Sequence, residues 1–138
     1  MSAEPFDDKA RSEFATVIAG MLEIQKFAAG SASMDDAQGF PKRKPLGYVY
    51  GFIDAALRSL GQDMADPKVG VPITFHVIRK LWPDRVNEYM DFVVENVGKQ
   101  DKALILGMMY GGQQFMDFRK PDAPEVPMGL ARFLIEGN

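Results

Sequence analysis

Cysteine is absent from all 138 residues. That excludes disulfides, thiol nucleophiles, thiolate zinc sites and iron–sulfur clusters together. Histidine occurs once, at His76, and neither His-Glu-x-x-His nor a calcium loop of alternating carboxylates is present. No metal and no cofactor are expected. Phosphate-cradling loops are missing as well: Gly107, Gly111 and Gly112 match neither Gly-x-Gly-x-x-Gly nor a Walker motif. Basic excess is lacking, with 16 Lys and Arg against 19 Asp and Glu, so no partnership with nucleic acid is expected. No stretch approaches the roughly 20 consecutive apolar residues of a membrane span. The first residues carry Glu4, Asp7 and Asp8 ahead of any apolar run, unlike a secretory signal, and a cytoplasmic location is the expectation.

What remains is an ordinary globular composition, 46% hydrophobic and 25% charged, at a length that suits one domain over 1–138. One short pattern occurs twice. Gly47-Tyr48-Val49-Tyr50-Gly51 and Gly107-Met108-Met109-Tyr110-Gly111 both read Gly-x-x-Tyr-Gly inside apolar runs of helical length. Residues i and i+4 share a helix face, so Gly47 with Gly51 and Gly107 with Gly111 each clear a strip for a second backbone. Glycine costs about 1 kcal/mol against alanine inside a helix, and such pairs need a compensating contact.

Apolar spacing divides the chain into helices. The first runs from Asp7 or Asp8 to about Ala29, with Phe14, Val17, Ile18, Met21, Leu22, Gln25 and Ala28 on its inward stripe and Gly30 as its stop. Ser31 to Pro45, with the basic cluster Lys42-Arg43-Lys44, reads as a mobile linker. The second helix is expected over Leu46 to Leu60, the third over Pro72 to Trp82, and the fourth from Pro83 to Gly98. Asp101 caps a fifth helix ending near Lys120, although Ala103-Leu104-Ile105-Leu106 alone could be a buried strand. Residues 121–138 read as an extended proline-rich arm and a short terminal helix whose apolar patch, Leu130, Phe133 and Leu134, must dock on the body or on a neighbour. The fold class is all-α: a compact bundle of about five main helices plus the terminal one, packed around helices two and five.

Chemistry is sparsely signalled. His76 could shuttle a proton if a carboxylate oriented it, and Asp54 could serve as a pocket acid or pair with Arg58 one turn on. Tyr50, Asp54, His76, Tyr110 and Gln114 are the candidate lining of a small-molecule or acid–base site between helices two, three and five. Met108, Met109, Phe115 and Met116 could form a binding groove or core. Serine has no nucleophile elbow. Tyr50-Gly51-Phe52-Ile53-Asp54-Ala55 resembles a segment of the small helical immunity proteins that neutralise secreted amidase toxins. Those proteins typically carry a leader and cysteines, which are not seen here, and no residue role or function is carried over. Two functional classes stand: a non-catalytic helical module that binds itself, as a homodimer, or another protein, and a small-molecule site.

Overall fold

The computed structural model describes residues 6–122 and 126–137. Among them are six α-helices, one 3-10 turn and no strand, the all-α class that the periodicity predicts. Helix α1 (Asp8–Ala28) starts where the Asp7 carboxylate accepts the Ala10 amide at 2.9 Å, and Gly30, at φ 65°, ends it.

Helix α2 (Arg43–Ser59) begins three residues before the predicted Leu46. Pro45 falls in its first turn, where backbone N–H groups have no intrahelical acceptor, so the missing donor costs nothing. Helix α3 (Pro67–Leu81) likewise starts at the earlier proline and contains Pro72, correcting the expected start. Asp66 caps it by accepting the Lys68 amide at 3.0 Å, and Pro67 fits the first helical position. Pro83–Arg85 form the 3-10 turn that leads into α4 (Val86–Gly98).

Helix α5 (Lys102–Phe118) is continuous through Ala103–Leu106, so the strand alternative is excluded. Its Asp101 cap accepts the Leu104 amide at 3.0 Å. Helix α6 (Gly129–Glu136) closes the chain. Of the proline-rich arm, residues 123–125, Pro124 among them, lie outside the described residues.

One core unites the elements: Ile18 and Leu22 from α1, Phe52, Ile53 and Leu57 from α2, Ile73 and Val77 from α3, Leu104 from α5 and Leu130 and Leu134 from α6. The α1 stripe needs correction. Its buried residues are Ala15, Ile18, Ala19, Leu22 and Gln25, whereas Val17 and Ala28 face solvent.

Candidate functional site

The glycine strips of α2 and α5 meet. A Cβ at Gly47 would clash with the Leu104 carbonyl, and one at Gly51 with that of Met108. Reciprocally, Gly107 abuts the Lys44 carbonyl and Gly111 that of Tyr48. Contact numbers rise together along both helices, so α2 and α5 run parallel. Backbones this close bring Cα–H groups onto carbonyl oxygens, a weak attraction repeated along the seam. The terminal helix is anchored beside it.

Met128 supplies no side-chain cap to α6. Two glutamines from other helices do so instead: Gln114 Oε1 accepts the Gly129 amide at 2.9 Å, and Gln25 Oε1 accepts that of Leu130 at 3.1 Å. The Tyr48 hydroxyl donates to the same Gln114 oxygen at 2.6 Å. Burial pushes the Tyr48 phenol well above its ordinary value, outweighing the opposing hydrogen bonds from Gln25 and Gly129. At the other end of α6, Lys42 Nζ donates to the Leu134 carbonyl at 2.8 Å.

Residues 31–42 form a folded turn. Asp36 accepts the Gln38 and Phe40 amides at 2.9 and 3.0 Å, and the Lys42 amide donates to the Met34 carbonyl at 2.8 Å. Asp35 joins this turn to α4 by accepting from Arg85 and, at 2.9 Å, from the Tyr89 hydroxyl. Burial, then the Asp35 hydrogen bond, raise the Tyr89 phenol above its ordinary value. Within the basic cluster, Arg43 meets Asp101 at 3.2 Å.

The five candidate pocket residues occupy separate surroundings. Tyr50 lines a hollow of about 70 Å³ with Met64, Thr74 and Met90, its phenol raised by burial and by the Asp54 charge. Asp54 pairs with Arg58 at 3.2 Å in a groove between α2 and α5. His76 lines a hollow of about 200 Å³ between α1 and α3 with Arg11 and Ser12, and its buried Nε2 has no partner among the described residues. Tyr110 is exposed and meets Phe133 edge-on at 5.5 Å. Gln114 belongs to the α6 cap. Asp54 and His76 line different hollows, and the Asp54 carboxylate is held by Arg58 while the His76 Nε2 has no partner among the described residues. No group of three or more His, Asp or Glu among the described residues is placed to hold a metal ion. No described helix is long and apolar enough to cross a membrane.

Sequence reasoning missed a second apolar face on α1. Val17 and Ile24 are each 62% exposed and Phe27 88%, and Gly20, Met21 and Ala28 complete that face. The expected inward stripe takes Val17, Met21 and Ala28 from this face and omits Gly20, Ile24 and Phe27. Gly20 has nothing within 4 Å of a built Cβ, unlike the four seam glycines. Comparison with family models, with curated proteins and with solved structures finds no match for this chain.

Proposed function

We propose that this protein is a non-catalytic helical interaction module that pairs with a second copy of itself through the outer face of α1. The carrying observation is that face: Val17, Gly20, Met21, Ile24, Phe27 and Ala28 together expose roughly 500 Å² of mostly apolar surface, toward the upper end of the largest patch a monomer ordinarily shows and of a size that is often functional. Two copies would bury about 1,000 Å², at the threshold for a specific interface. Gly20 supports the reading. An interior glycine weakens its helix by about 1 kcal/mol, and a Cβ here would meet no other part of its own chain, which leaves room for a backbone crossing with another chain.

An antiparallel pair fits the pattern. About a two-fold axis between Gly20 and Met21, Val17 faces Ile24 of the second copy and Phe14 faces Phe27. A parallel pair would set Glu13 against its own copy, whereas the antiparallel one separates the two glutamates by about 22 Å and opposes the helix dipoles. We place the module in the cytoplasm, where a fold without disulfides meets no redox penalty.

Sedimentation velocity tests the reading. The natural chain is expected at twice 15.3 kDa, and Ile24→Glu at 15.3 kDa with an unchanged helical circular dichroism spectrum. A monomeric natural chain, or a variant that remains dimeric, would overturn it.

A further inference from the structure

The outer side of the α2–α5 seam is a groove of about 760 Å³, within the range of small-molecule sites. Glycine contacts draw the backbones together, so the groove floor is Gly51, Ala55 and Gly112 rather than large side chains. Met108, Met109 and Met116 form its wall, adaptable and polarizable. From Ile105 to Arg119 the groove extends roughly 21 Å along α5.

Its polar groups are unevenly placed. Because α2 and α5 run parallel, their C-terminal ends coincide, and Arg58 and Arg119 stand at that one end. Arg58 meets Asp54 at 3.2 Å yet leaves 75% of its side chain exposed. Arg119 has no ion pair among the described residues; its guanidinium lies 5.9 Å from the Phe115 ring centre and 4.0 Å from the Met116 sulfur. The apolar wall therefore ends at one guanidinium free for an anion and a second that is half-committed.

We propose that this groove binds a free single-chain fatty carboxylate, its hydrocarbon along the methionine wall and its head on Arg119 with Arg58 beside it. With Asp54 held by Arg58, Arg119, unpaired among the described residues, offers a charge-assisted hydrogen bond that outweighs the weak negative helix C-termini at that end. With the methionine wall along the rest, this favours that class over a neutral lipid or a compact anion. The site is independent of the α1 face, so either assignment stands without the other.

Methyl NMR of labelled methionine, with decanoate below its micelle concentration, tests this. The Met108, Met109 and Met116 methyl signals are expected to shift saturably with decanoate, at least fivefold more weakly with decanol, and not with acetate. Arg119→Gln is expected to weaken decanoate at least fivefold and leave decanol unchanged. Gly112→Leu is expected to abolish binding by filling the floor: its Cβ makes ordinary contacts, 3.5 Å from the Gly51 oxygen and 3.7 Å from the Ala55 Cβ. If Gly112→Leu unfolds, Arg119→Gln on its exposed site still decides. No saturable shift, equal binding of decanol, indifference to Arg119→Gln, or shifts confined to methionines outside the groove would overturn the proposal.

Discussion

Gly51 of α2 lies against the carbonyl of Met108 in α5 so closely that no side chain fits between them. Backbone, unlike a flexible side chain, cannot turn aside. Gly51→Ala is therefore expected to cost about 3 kcal/mol in chemical denaturation, the upper range for overpacking. Gly112→Ala, one turn from Met108 but with only ordinary van der Waals contacts at its Cβ, is expected to be neutral or to stabilise by up to about 1 kcal/mol. Equal effects would mean that the seam is not the tight contact between these helices.

Gly20→Ala is expected to act with opposite signs on folding and on association. In an Ile24→Glu background, where pairing is removed, it gains helix propensity of about 1 kcal/mol, read as a higher denaturation midpoint. In the natural background it obstructs the crossing and raises the dimer dissociation constant at least tenfold, read by sedimentation at falling concentration.

Gln114 serves two donors, the Tyr48 hydroxyl and the Gly129 amide. Gln114→Leu leaves both without an acceptor, at a cost of about 2 kcal/mol. Hydrogen exchange should accelerate in α6 well before the α2–α5 seam responds, because α6 is eight residues long and depends on docking. Uniform acceleration across the chain would contradict a separately anchored tail.

Alkaline titration follows from Tyr48 and Tyr89, both held above the ordinary phenol value mainly by burial. The unfolded chain releases these protons near pH 10 while the folded chain keeps them, so above about pH 10 the folded state binds more protons and stability falls as pH rises. Phenolate absorbance from these rings should appear together with the loss of helical circular dichroism. In Tyr48→Phe the loss of stability with pH above 10 should be shallower than in the natural chain.

The glycine seam was legible because its signal is local: two identical spacings on two apolar helices admit few partners. Caps at Asp7 and Asp101 were legible for the same reason. The starts of α2 and α3 were not, since Pro45 and Pro72 read as boundaries. Pro45 sits in the first turn of α2, where a missing N–H is cheap, whereas Pro72 lies inside α3, which continues through it at the cost of one backbone hydrogen bond. Gln25 looked like a lapse in an apolar stripe. Its partner, the Leu130 amide, lies 105 residues away, and no periodicity reports such a pairing. The Asp35–Tyr89 contact is equally non-local. On α1 the spacing alone could not say which of two apolar faces the core would take; packing against α3 and α6 settled it.

A disulfide scan tests the central claim most directly, because a chain without cysteine reports only on the thiol introduced. Met21→Cys sits beside the proposed two-fold axis and Phe27→Cys about 20 Å from its own copy in an antiparallel pair. Under mild oxidation the account predicts rapid covalent dimer from Met21→Cys and none from Phe27→Cys. Cross-linking at both would indicate a parallel pair, and at neither would contradict pairing through α1.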